Sequence, residues 1–422
     1  MPFRYITRRH QIIKAYLSGI GKSAVIMPAA FLAALAFSTL GMGAVFYLRD
    51  TFDASGIDVG ALFAAWWLSY SLGCFFLRPL ADKISLRIVL PVSTFLTGIA
   101  AMGIYFSASI PMAVVCACLV GATASFFWSP MMGWLSTGLE GSALSKTMGL
   151  YNISWTTACV IGPPLAGWLS QQNPAYPIFL GAGLFLTNAV MITGATLALP
   201  KVRADAESVR TPAQTNDVNT GRSTRLRYAC WTALVTTFMT MSLIAQVWPI
   251  PAQENLEVNP DIRKVVIGFL LLGRALFNAI GMGMIGRLSF WHYRGTLLVM
   301  GQLCLAGILI AIAGQTSVIV IAPLLAVQGL IASLSYSYST FHAVAGSNNR
   351  AARMGIHEGL LSLGLCAGVV LGGAAYDYFS FPAACRCFAG IVLVGVAIEI
   401  MIVARTARTE RRDSDGNLYD SP

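Results

Sequence analysis

The sequence predicts an all-α membrane protein with twelve transmembrane helices in two pseudo-symmetric six-helix bundles. Three observations carry this: a shortage of charge, apolar runs that recur about every 30 residues, and a second half that repeats the first. Of 422 residues, 56% are hydrophobic and 11% charged, with a mean hydropathy of +0.68. An ordinary soluble domain is ~25% charged, so this chain cannot coat a water-facing surface. The useful unit is the span of ~20 apolar residues that crosses a ~30 Å hydrocarbon core.

Residues 1–25 form a cytoplasmic N-terminal segment in which Ile12, Ile13, Tyr16, Leu17 and Ile20 sit among basic residues, the pattern of an amphipathic surface helix. Spans follow near 26–47, 59–77, 88–107, 112–134, 147–170 and 177–199, an N-terminal bundle of 26–199. The first run is longer than the apolar core of a signal peptide, so it counts as a helix. Residues 200–227 are polar and read as a cytoplasmic linker. Six further runs, near 228–249, 265–286, 295–313, 318–341, 354–376 and 384–404, make a C-terminal bundle of 228–404, and 405–422 read as a disordered cytoplasmic tail.

With both termini inside, the inner segments hold 23 Lys and Arg and the outer ones four, Arg49, Arg263, Lys264 and Arg386. That bias sets the orientation and points to a multi-pass protein of a bacterial inner membrane. The net charge of +10 follows from it, so no nucleic-acid partner is expected. The nine cysteines lie mostly in apolar runs without metal-site spacing, and read as packing residues. The run from Met148 through Gly167 overlays the run from Met354 through Gly373 at a constant offset, pairing the fifth span with the eleventh. Two halves of the same orientation imply parallel repeats, with a pathway between them.

Two motifs carry a family resemblance. The turn after the second span, Arg78-Pro-Leu-Ala-Asp82-Lys83-Ile-Ser85-Leu-Arg87, resembles the loop motif of the major facilitator superfamily, with Arg78 and Ser85 at glycine positions. The fifth span resembles a second signature of that family in Gly149, Ala158, Gly162-Pro163 and Ala166-Gly167. The resemblance implies a secondary transporter working by alternating access, in which spans one, four, seven and ten line a cavity. Asp82, Lys83, Arg87 and Arg78 would then be a gating motif pairing charges across the cytoplasmic seam. An ordinary positive-inside turn is the plainer reading. Gly149, Gly162 and Gly167 allow close helix packing, and Pro163 permits a bend. Plain small-residue packing explains the same residues, and in the family this signature leans toward export.

Ionisable residues at membrane depth are costly and therefore functional candidates. Arg274 lies about eight residues into the eighth span, ~12 Å deep, where it could bind a carboxylate or phosphate bidentately. Its alternative is a structural pair. Glu358, one turn inside the eleventh span beside His357, is a candidate for proton coupling, and a gate with Arg78 or Lys83 is the competing reading. Glu399 near the end of the last span is expected to snorkel without a role. Polar and aromatic residues of a lined cavity complete a substrate-binding set: Phe127 on the fourth span, Tyr151, Asn152 and Trp155 on the fifth, Gln246 on the seventh, Asn278 one turn after Arg274, and Tyr336 on the tenth. Packing or interfacial belts are the alternative for each aromatic residue.

There is no phosphate-binding glycine loop, zinc helix or nucleophile elbow. No enzyme activity, cofactor or metal is expected. The reading is a monomeric secondary transporter of a small organic solute, anionic or amphipathic, coupled to protons. A broad-specificity drug or metabolite:proton antiporter working in efflux is one alternative. A non-transporting sensor or assembly protein on the same fold is the other.

Overall fold

The computed structural model describes residues 21–54, 56–81, 83–208 and 220–419. The N-terminal amphipathic segment therefore lies outside the described residues up to residue 20, as does Asp82. Among the described residues the secondary structure is helical. In chain order the helices are α1 (Ser23–Phe52), α2 (Gly56–Leu72), α3 (Leu86–Tyr105), α4 (Ile110–Ala124), α5 (Trp128–Ser136), α6 (Gly141–Gln172), α7 (Tyr176–Ala198) and α8 (Pro200–Ser208). Then come α9 (Thr220–Ser242), α10 (Pro249–Asn255), α11 (Arg263–Arg287), α12 (Gly295–Ile312), α13 (Val318–Val344), α14 (Arg350–Tyr378) and α15 (Phe381–Tyr419).

Eleven spans among the described residues are long and apolar enough to cross a membrane. The twelfth long helix, α6, has 32 residues and is not among these spans; it carries Lys146 and Asn152 in its first half and Pro163 and Pro164 in its second. Three expected rods are interrupted. The second widens into a π-turn at Gly73–Leu77, the fourth breaks between α4 and α5, and the seventh widens at Leu243–Val247. Hydropathy does not see such interruptions, because a π-turn keeps its residues apolar while shifting which carbonyls are bonded.

The described parts of the expected linker and tail are helical. Pro200, pre-set for a helix start, opens α8, and α9 begins at Thr220, so only 209–219 lie outside the described residues. Val202 in α8 is buried, as are Ser223 and Arg227 in α9. The tail continues α15 to Tyr419, as its Ala, Arg and Glu content favours.

By contacts the chain divides into two compact units. The first comprises Met1–Gly138, Ser154–Ala213 and Asn349–Gly355; the second comprises Leu139–Ile153, Gln214–Asn348 and Ile356–Pro422. Each unit thus takes the first turns of a long helix whose remainder belongs to the other.

Within the first unit, α1 packs on α7 through small residues, with Ala29, Ala30, Ala33, Ala36 and Leu40 fully covered. A Cβ on Gly181 would stand 3.0 Å from Leu40 Cβ, so the two helices approach as only small residues allow. The carbonyls ending α5 are held by cations: Lys22 Nζ donates to Trp134 O (2.7 Å) and Thr137 O (2.8 Å), and Arg350 donates to Ser136 O. Helix ends leave such carbonyls unpaired, and a cation there also meets the negative end of the dipole.

The second unit is built on α9, α11, α13 and α15. A buried polar knot ties three of its helices. Gln302 on α12 accepts from Thr236 at 2.9 Å and donates to Thr237 at 2.8 Å and Ser335 at 3.0 Å.

Candidate functional site

The second unit brings Arg274 to a narrow place between α9, α11 and α13. Gly329 on α13 makes this possible, because its α-carbon lies against the backbone of Arg274 and Asn278. Any side chain there would push α11 away. Arg274 is 9% exposed, and its Nη1 donates to Met241 O at 3.1 Å, immediately before α9 widens at Leu243–Val247. One guanidinium contact is therefore structural, as the pairing alternative anticipated.

The guanidinium is not exhausted by that bond. Arg274 Nε is buried and has no hydrogen-bond partner among the described residues. Two acceptors nearby in the fold share this condition. Asn278 Oδ1, one turn along α11, is buried without a partner, and so is Oε1 of Gln328, the residue before Gly329. The Gln328 amide nitrogen donates to Thr240 O at 3.4 Å, one residue before Met241. A donor and two acceptors are thus left unused where α9, α11 and α13 converge. Buried polar groups are ordinarily satisfied, so the arrangement can accept a ligand that offers both an anionic oxygen and a hydrogen-bond donor.

A second group gathers around Glu358. His357 Nδ1 lies 2.6 Å from Ser339 Oγ, and its Nε2 lies 3.8 Å from Glu358 Oε1. The Tyr336 ring meets the imidazole edge-on at 4.9 Å. Tyr151, on the first turns of α6, belongs to the same unit. All five are buried except for a small part of Glu358.

The remaining expected binding residues distribute as follows. Asn152 is buried in the second unit, and Gln246, on the π-turn, is exposed. Trp155 and Phe127 belong to the first unit, with Phe127 buried edge-on against Trp128 at 5.2 Å. Of the loop motif, Lys83 is exposed, Arg87 is half-buried, and the Arg78 side chain and Asp82 lie outside the described residues. In α6, which runs on through Pro163 and Pro164, Gly149 meets Gly286, and Gly162 meets Ser38. Gly167 has open space where a Cβ would stand, so no close approach depends on it.

Glu399 does not snorkel. It is fully buried, and neither carboxylate oxygen has a hydrogen-bond partner among the described residues. Its position two turns before the end of the span keeps it under neighbouring side chains.

Sequence reasoning also passed over a cluster at the end of the second unit that bears the linker. Ser223 Oγ lies 2.9 Å from His342 Nδ1, and Arg227 Nε donates to His342 O at 3.1 Å. His292, in the turn after α11, stacks on Phe341 at 4.2 Å, and burial pushes its imidazole down to about 4. Ser223 and Arg227 fell in the presumed linker, which hid them. The Ser339–His357 pair left no trace either, since the two lie on different helices, α13 and α14. The lone amide of Gln302 inside an apolar run was the one available signal for the polar knot.

Comparison with known proteins supports the same architecture. The family model of the Major Facilitator Superfamily matches residues 26–347. No curated protein sequence matches the chain. Among solved structures, the human organic anion transporter MFSD10 (TETRAN) superposes with a TM-score of 0.68 at 13% identity, covering 89% of this chain and 98% of that one. FucP, a Major Facilitator Superfamily transporter in the outward conformation, gives 0.61 at 13% identity, covering 90% and 98%. At such identities the likeness is one of fold, and the family match supplies the rest. With its apolar helices, two-bundle transporter fold and a family match over most of its length, this multi-pass integral membrane protein belongs to the Major Facilitator Superfamily.

Proposed function

We propose that this chain is a secondary active transporter of a small organic anion, working by alternating access and coupled to protons. The observation that carries the reading is the unused donor on buried Arg274, with unused acceptors on Asn278 and Gln328. A carboxylate or sulfonate would take the Arg274 fork, and a hydroxyl or amide of the same solute would satisfy the two amide oxygens. The fold likeness to a protein described as an organic anion transporter supports this choice of ligand class. Tyr151, Asn152, Gln246 and Tyr336, all of the second unit, would enclose the rest of the solute.

In this reading the Glu358 carboxylate binds a proton from one side of the membrane and releases it on the other. His357, oriented by Ser339, sets the polarity around that carboxylate. Asp82, Lys83, Arg87 and Arg78 serve as the gating motif. Gly149, Gly162 and Pro163 keep α6 closely packed. The protein acts as a monomer in a bacterial inner membrane, with both termini cytoplasmic.

Efflux of varied amphipathic compounds is the second reading. It is favoured by the aromatic cluster of the first unit, where the Phe37 ring centroid lies 5.8 Å from that of Trp66, 6.2 Å from Trp128 and 4.7 Å from Phe185. A panel of organic anions, organic cations and neutral metabolites, screened by thermal shift on purified protein, tests both. Bound ligand raises apparent stability. Stabilisation by anions that disappears in Arg274→Gln supports the first reading. Stabilisation by cations and neutral amphiphiles, unchanged in that variant, supports efflux. No stabilisation by any compound favours a non-transporting protein on this fold.

A further inference from the structure

We propose that the groove between the start of α6 and the end of α11 binds a phosphate-bearing anion, either a phospholipid headgroup or free phosphate. The groove holds about 470 Å³, within the ~300–1,000 Å³ of small-ligand sites. It is lined from one side by Ser142, Ser145 and Lys146, and from the other by Gly286, Arg287 and Ser289. All belong to the second unit.

Four features specify the ligand chemistry. Lys146 and Arg287 are exposed cations brought to one groove, and no carboxylate lines it. Like charges so placed repel until an anion sits between them. The acid next in sequence, Glu140, is turned elsewhere, accepting from the Gly346 N–H at 3.3 Å. The groove also opens at the first turn of α6, a 32-residue helix, whose N–H groups and dipole favour negative charge.

The independent sign of a ligand is Ser145. It is 4% exposed, lines the groove, and its hydroxyl has no hydrogen-bond partner among the described residues. Many other buried hydroxyls in this chain, though not Ser129, donate back to a carbonyl one turn earlier, as Thr39 does to Leu35 O (2.7 Å), Ser125 to Ala122 O (2.7 Å) and Ser136 to Gly133 O (3.0 Å). Ser145 does not, which leaves it a donor for a phosphate oxygen.

Beneath the groove, Gly149 and Gly286 touch through their α-carbons, so α6 and α11 are close enough for one anion to reach both. Arg287 ends the span of α11, which puts the groove at the level of the lipid headgroups. A bound phosphate would tie residues 139–153 to α11.

The test uses the full purified chain. Native mass spectrometry counts retained phosphatidylglycerol against phosphatidylcholine, and thermal shift reads inorganic phosphate. The wild type is expected to prefer phosphatidylglycerol. Lys146→Gln with Arg287→Gln should weaken the bound anion by about tenfold or more, Ser145→Ala should weaken it less, and Arg49→Gln should change nothing. Phosphatidylglycerol that inorganic phosphate displaces identifies a phosphate site open to water. Phosphatidylglycerol that phosphate leaves in place identifies a headgroup site. Equal anion retention by the wild type and the double variant overturns the proposal. Both positions are exposed, and the single variants give the same reading should the double variant not purify.

Discussion

Replacing Gly329 by alanine displaces the candidate site without altering any of its polar groups. A Cβ built there stands 3.0 Å from the Asn278 amide nitrogen, 3.3 Å from the Arg274 carbonyl carbon, and closer still to the Arg274 carbonyl oxygen. These are backbone atoms, so no side chain can swing aside and α11 must part from α13. Gly273 supplies the control. It precedes Arg274 on α11 and has nothing within 4 Å of its own Cβ position. Both substitutions gain the same helix propensity, up to ~1 kcal/mol. Their difference therefore isolates overpacking, about 1–3 kcal/mol. Thermal melting in detergent reads that difference, with Gly329→Ala the less stable. Displacing the Arg274 backbone by a fraction of an ångström should also weaken binding of a stabilising anion, by up to ~10²-fold if geometry governs recognition as it does in catalysis. Coincident melting and equal anion affinity in the two variants would refute the packing argument.

Other expectations follow from the same contacts. Arg350→Gln removes one charge-assisted bond to the end of α5 and Lys22→Gln removes two, and each substitution should cost about 1.5–3 kcal/mol, read as a lower melting temperature. Glu399→Leu should leave stability unchanged or raise it, because a buried carboxyl without a partner is costly to keep; a large drop in melting temperature would show that it has one. For His292, burial holds the imidazole near 4 against an ordinary value of 6.5, so the folded state binds fewer protons than the unfolded one. Its contribution to stability is present above pH 6.5 and is lost as pH falls toward 4, and His292→Phe should flatten the melting profile over that window.

The fold was legible because burial in lipid leaves few options. Apolar length, the bias of Lys and Arg between loops, and the repeat pairing the fifth span with the eleventh all report on topology directly. Interruptions were not legible, since the π-turns at Gly73–Leu77 and Leu243–Val247 are set by neighbours, such as Ser125 against Gly73. Arg274 stood out as a lone cation in an apolar run. Its partner could not be named, because that partner is a backbone carbonyl, Met241 O. Gln328 is a single amide in the apolar run of the tenth span. Its pairing with Asn278 as an unused acceptor needs the register of α13 on α11, which Gly329 sets. Glu399 shows the opposite failure: position near a helix end suggested solvent, and packing around it denied solvent.

The central claim is that the chain moves an organic anion together with protons through a site built on Arg274. Purified protein in liposomes containing a trapped pH dye tests it most directly, with organic anions added outside under an imposed pH gradient. At least one anion should provoke proton movement in the wild type, with that movement abolished in Arg274→Gln and uncoupled from anion flux in Glu358→Gln. Anion-driven proton movement that persists unchanged in Arg274→Gln, or that no anion elicits in the wild type, would contradict the account.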